Sequence, residues 1–223
     1  MGPVIGAILP VAVGIAISPI PIIAAILMLL SPKARSTSVG FLVGWVLGMV
    51  VVVVVFTLLS AILPAQDSSV SHPIVAIVQL VLGVLLLLVA VKQWRSRPKT
   101  GDEAKLPKWM SAIDSMTAAR AFVLGFLLAG VNPKNLIMAI SAGVTVGAAA
   151  LSIGSSTIVI VIFVLIAAST VLIPVVGYLV SADKLRAPLD AMRGWLAQNN
   201  AAIMSILLLV IGVAVIGKGI GQL

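Results

Sequence analysis

Asn132-Pro133-Lys134-Asn135-Leu136-Ile137-Met138-Ala139-Ile140 lies inside a long apolar run, and a related segment, Ser18-Pro19-Ile20-Pro21-Ile22-Ile23-Ala24-Ala25-Ile26, lies inside an earlier one. Superposed, the two place Pro19 on Pro133, Ile23 on Ile137, Ala25 on Ala139 and Ile26 on Ile140. Proline lacks a backbone N–H and its ring crowds the preceding turn, so each segment interrupts the helix that carries it. In hydrocarbon the freed peptide groups need protein, water or a ligand, which puts broken helices inside a bundle or along a cavity.

The surroundings of the two segments identify that hydrocarbon. The 223 residues are 61% hydrophobic and 9% charged, with mean hydropathy +1.29, too apolar to face water all round. The apolar runs have helical lengths and no ten-residue alternation, which favours helices over an outer-membrane barrel. With no cysteine, disulfides and thiolate chemistry are excluded. Met1-Gly2-Pro3 carries no basic residue, so the first run is expected to stay as a span rather than be cleaved as a signal.

Six spans of about 20 residues or more fit a bilayer core of roughly 30 Å. They are expected near Val4 to Leu30, Val39 to Leu63, Pro73 to Trp94, Ala119 to Val146, Ser155 to Val180 and Ala201 to Gly217. Lys33 and Arg35, the cluster from Lys92 to Arg120, and Lys184, Arg186 and Arg193 occupy alternate loops, whereas 64–72 and 147–154 hold no Lys or Arg. The positive-inside rule then places both termini outside. The net charge of +8 reads as this topology signal plus attraction to anionic headgroups, not as a nucleic-acid surface.

Three spans precede the repeat boundary, so the second copy enters from the opposite side. The expected fold is an all-α membrane protein of six transmembrane helices, built as two inverted three-helix repeats with helices one and four broken. Residues 1–94 form the first repeat, 95–118 a cytoplasmic linker and 119–223 the second repeat. Trp109, Met110, Ile113 and Met116 in the linker suit a short interfacial helix, though a solvated linker fits as well. That spans one and four are re-entrant hairpins stays open.

At about 1.5 Å per residue, Ser18 and Lys134 each lie roughly 20 Å from the boundary where their span begins. Antiparallel packing of the two spans brings the breaks together, as in a transporter with a central site. A cation at Lys134 costs a few kcal/mol and needs a partner, yet the spans contain no Asp or Glu. Freed carbonyls, water or an anionic substrate are left to meet it, and the half-helix N-termini after Pro21 and Asn135 add partial positive charge. The candidate substrate-binding residues are Ser18, Pro19, Pro21, Asn132, Pro133, Lys134, Asn135 and Gln79. No cofactor, metal cluster or catalytic group is expected, and an enzyme is the least favoured class.

Elsewhere the residues read as packing. Gly40, Gly44 and Gly48 mark one close-packing face of span two. Thr57, Ser169 and Thr170 suit a lined path or interhelical hydrogen bonds, and Pro174 suits a bend in span five. Trp45, Trp94, Trp109 and Trp195 suit an interfacial belt on the basic side. His72 reads as a solvated loop residue.

Ser18-Pro19-Ile20-Pro21 with Gly40 and Gly44 downstream, followed by Asn132-Pro133-Lys134, resembles the lysine-exporter (LysE) superfamily over nearly the whole chain. Its Ser-Pro-Ile-Pro and Asn-Pro-Lys-Asn forms are most similar to the GAP or Sap family of actinobacterial (glyco)lipid-addressing proteins. The resemblance implies a six-helix inner-membrane exporter or flippase for an anionic lipid, glycolipid or lipid-linked substrate. Ile20, where the amino-acid exporters have glycine, speaks against an amino-acid substrate. Export of a small amphiphilic solute or amino acid is the alternative, and an accessory scaffold of a lipid-synthesis or export complex a third. Partners implied are the anionic lipid substrate and membrane lipids, with a homo-oligomer open and nucleic acid excluded.

Overall fold

The computed structural model describes residues 1–62, 73–97, 113 and 115–221. Among them are eight α-helices and no strand: α1 (Gly2–Ala16), α2 (Pro19–Leu30), α3 (Ala34–Ile62), α4 (Pro73–Arg95), α5 (Ala118–Gly130), α6 (Pro133–Ala148), α7 (Ile153–Val180) and α8 (Ala182–Ile220). Pro19 and Pro133 each take the first position of a helix, where a missing N–H costs nothing. The expected interruptions therefore fall between α1 and α2, bent by 51°, and between α5 and α6, bent by 64°.

Among the described residues three helical stretches are long and apolar enough to cross a membrane, namely α3, α7 and Lys184–Gly217 of α8; counting each bent pair as one span gives up to five. The chain is a multi-pass membrane protein. Its exposed residues agree: along α3, Val43, Leu47, Val51 and Val55 point outward while Phe41, Trp45, Met49 and Val53 are buried, so both faces are apolar. Such a helix has packed partners on one side and lipid on the other.

The chain divides into two compact units, Met1–Pro64 with Leu106–Arg193, and Ala65–Lys105 with Gly194–Leu223. In the first, α2 is the innermost helix, buried from Ile22 through Ile26 and again at Met28 and Leu29. Around it α3 lies along α5 and α6, and α1 packs on α6 and α7. The α3 glycines set the first contact: Gly40, Gly44 and Gly48 face Ala118, Phe122 and Phe126. A Cβ at Gly44 would collide with the Phe122 carbonyl oxygen, and one at Gly125 with that of Phe41, so the backbones touch from both sides. Further along, Gly143 meets Val53 and Gly147 meets Thr57, with Thr57 Oγ1 donating to the Gly143 carbonyl at 3.2 Å. Residue numbers rise together on both sides, so α3 is parallel to α5 and α6, and the two halves of the broken helix advance in one direction.

In the second unit α4 and the later part of α8 are antiparallel. Gly83 packs against Gly212 and Ile216, and Ser205 Oγ donates to the Ala90 carbonyl at 2.7 Å.

Two expectations need correction. Trp45 is not part of an interfacial belt: it is 1% exposed and stacked on Phe41 in the contact with α5, where Gly125 makes room for the backbone. Trp94 and Trp195 are exposed, Trp94 beneath the Arg97 guanidinium at 4.1 Å, and Trp109 lies outside the described residues. The basic stretch before the last span is not a loop but the first turns of α8, because Leu185, Ala187, Leu189 and Met192 propagate a helix and Pro188 near its start does not stop it. Pro174, where a bend is expected, stands inside α7. Most of the linker and the loop with His72 fall outside the described residues; Ile113, which is described, is buried.

Candidate functional site

At the end of α1 the helix register fails one turn before the proline. Pro19 has no N–H for the Ile15 carbonyl, so Ser18 N–H turns to Ile15 instead, at 3.0 Å, and the Gly14 carbonyl loses its donor. Gly14 is buried, and a Cβ there would lie 2.7 Å from Cε and 3.0 Å from Sδ of Met138 on α6. Its missing side chain leaves room for the Met138 thioether against the α1 backbone.

One turn earlier on the same face of α6 stands Lys134, whose ammonium donates to the Gly14 carbonyl at 2.8 Å. The two interruptions are thus brought together through the orphaned acceptor of one and the cation of the other. Two carbonyls along, Thr170 Oγ1 of α7 donates to Ala16 at 2.5 Å. Ser169 bonds within α7, to Ile166, so of the adjacent hydroxyls one crosses between helices.

The second break is closed by its own asparagines. Asn132 caps α6, its Oδ1 accepting from the Lys134 N–H at 3.2 Å, while its own N–H reaches back to Leu127. That leaves the Leu128 carbonyl, which takes Nδ2 of Asn135 at 3.0 Å. Asn135 is fully buried, and its Oδ1 has no partner among the described residues. At the first break Ser18, Pro19 and Pro21 are buried, and Ser18 makes no side-chain cap bond. Pro133 is exposed. Gln79 belongs to α4, and its side chain lies outside the described residues.

The electrostatics of the group are one-sided. Helices α1 to α7 contain no Asp or Glu, and the described ion pair, Arg193 with Asp190 at 3.0 Å, is on α8. A carbonyl dipole satisfies one of the three ammonium donors and neutralises no charge. No group of three His, Cys, Asp or Glu able to hold a metal occurs among the described residues. What the arrangement offers chemically is an ammonium with which a negatively charged group can pair.

Gly14 and Ala16 escaped the sequence reading because their contribution is a carbonyl, which every residue has. The signal was there: counting back four from Ser18 and from the first turn of α2 finds the acceptors that the break strands.

Searches among curated proteins and solved structures give no match. A family model does match, spanning residues 8–221, the whole of the site included, and by it the chain belongs to the Sap, sulfolipid-1-addressing protein family.

Proposed function

We propose that this protein is an exporter or flippase that carries an anionic lipid or lipid-linked glycan across the bacterial inner membrane, its anionic group held at Lys134. The carrying observation is that Lys134, inside the broken bundle, faces the neutral Gly14 carbonyl with no Asp or Glu on α1 to α7. The family description, sulfolipid-1-addressing, supports an anionic lipid as cargo.

In this reading α4, apolar from Pro73 to Ala90 except for Gln79, is the sixth span, and the chain consists of two inverted three-helix repeats related to the lysine-exporter superfamily. The parallel course of α3 and α5 supports that topology, since spans two and four of such an arrangement cross in the same sense. The advance of both α5 and α6 along α3 supports broken spans over hairpins. Both termini face outside, and the basic residues on the cytoplasmic side concentrate anionic lipid there. The protein is a carrier and not an enzyme.

The test is translocation of labelled lipid by the purified protein in vesicles. Anionic lipids should cross faster than zwitterionic ones, and Lys134→Gln should abolish the difference in folded protein. Equal transport by Lys134→Gln would refute the site. Movement that appears only with a partner complex would instead make the protein a scaffold, and preference for a soluble amphiphile would make it a solute exporter.

A further inference from the structure

The broken end of α1 is held at two points by donors of different kinds. Gly14 is met by an ammonium and Ala16, two residues on, by the Thr170 hydroxyl. Neither acceptor can be satisfied by a following helical turn, because the register ends at Ser18. At the same level α7 carries Pro174, four residues after Thr170, which has no N–H to return to the Thr170 carbonyl. The α7 side of the break is thus specialised as well, and it contributes no charge.

We propose that Thr170 is a positioning residue for the Lys134 site. Its hydroxyl fixes the end of α1 so that the Gly14 carbonyl stands opposite the ammonium, and together the two contacts clamp α1, one of them releasable by an anion. This rests on the reading of Lys134 as an anion site. A charged acceptor makes a stronger hydrogen bond to an ammonium than a carbonyl does, so an arriving anionic group takes Lys134 and frees Gly14. The neutral bond between Thr170 and Ala16 does not compete for the anion and persists as the pivot. Binding is thereby coupled to movement of α1 against α6, the kind of step that alternating access needs.

The absence of cysteine makes the test direct. Val13→Cys on α1 and Ile137→Cys on α6, both exposed, carry spin labels in nanodiscs of zwitterionic lipid, and the distance distribution is recorded before and after adding phosphatidylglycerol. In the ligand-free protein Thr170→Val should broaden or lengthen the distribution, and Thr170→Ser, which keeps the hydroxyl, should restore it. Phosphatidylglycerol should shift the unsubstituted protein in the same sense. Thr170→Val should also bind phosphatidylglycerol about three- to tenfold more tightly, the scale of one neutral hydrogen bond, because Gly14 no longer competes for Lys134. General loosening of the fold would weaken binding instead. An unchanged ligand-free distribution in Thr170→Val, or unchanged or weaker binding, overturns the clamp. Absence of phosphatidylglycerol binding to the unsubstituted protein overturns the anion-released half and the anion site together, while the ligand-free distances still decide whether Thr170 holds α1. Binding without a distance change leaves the anion site standing and overturns the release.

Discussion

The Lys134 ammonium lies 2.8 Å from the Gly14 carbonyl oxygen, and this bond between residues 120 positions apart ties the two interrupted helices to each other. It pairs a full charge with a dipole. Half-buried and without a carboxylate partner on α1 to α7, the ammonium loses hydration that one carbonyl does not replace.

Removing the charge should therefore not weaken the fold. Lys134→Met loses one charge-assisted bond, about 1.5–3 kcal/mol, and is relieved of a desolvation cost of similar or larger size. Its apparent melting temperature in detergent is expected to equal or exceed that of the unsubstituted protein, while binding of anionic lipid falls at least tenfold. Thermal scans beside lipid binding check both. A variant that melts several degrees lower and still binds would assign Lys134 to structure alone.

Much of this site was legible in the sequence, and the rest was not for a definite reason. Pro19 and Pro133 announce the breaks because proline's missing N–H is a local fact. The half-helix expected to begin after Asn135 begins at Pro133, with Asn132 as its cap. Which carbonyl Lys134 would reach depends on the rotation of α1 against α6, and the partner of Thr170 on the rotation of α1 against α7; both are packing outcomes set by long-range contacts. Trp45 misled for the same reason. Its position near the basic end suggests an interface, but the packing of α3 against other helices buries it.

The stacked pair of Phe41 and Trp45 separates the indole's bulk from its N–H. Trp45 Nε1 is buried with no partner among the described residues, so Trp45→Phe gives up no hydrogen bond and keeps an aromatic ring on Phe41. Its stability is expected within about 1.5 kcal/mol of the original, the range of well-tolerated core exchanges. Trp45→Ala opens a cavity and should cost about 3–5 kcal/mol. Denaturant midpoints in mixed micelles distinguish the two, and equal losses would mean that the indole nitrogen has a partner after all.

The glycines on α3 and α5 should be far less replaceable than others of equal hydropathy. Gly44→Val and Gly125→Val push a side chain into the backbone carbonyl of the facing helix, which cannot move aside as a side chain does. Each should cost about 3 kcal/mol or more, at or above the upper end of ordinary overpacking. Gly154→Ala, at a position with nothing within 4 Å, should be neutral or slightly stabilising in the first turn of α7. Yield of folded protein and melting temperature give the ranking; comparable behaviour of all three would remove the close contact between α3 and α5.

Gly14 differs from those glycines because what it would strike is the flexible end of Met138 rather than backbone. Two opposing effects then act on Gly14→Ala: displacement of the thioether, which a methionine absorbs partly by changing rotamer, and the helix propensity gained over glycine, about 1 kcal/mol. The single substitution should come out near neutral or mildly destabilising. In a Met138→Ala background the obstruction is gone and the propensity gain stands alone, so Gly14→Ala should stabilise by roughly 0.5–1 kcal/mol. The difference between the two backgrounds is the coupling energy of the pair, which residues in contact usually show and distant ones do not. The Gly14 carbonyl is kept throughout, so the bond from Lys134 should survive in the double variant and anionic-lipid binding should be retained. Zero coupling between positions 14 and 138 would mean that α6 does not reach α1 here, and the route by which Lys134 meets the broken helix would fall with it.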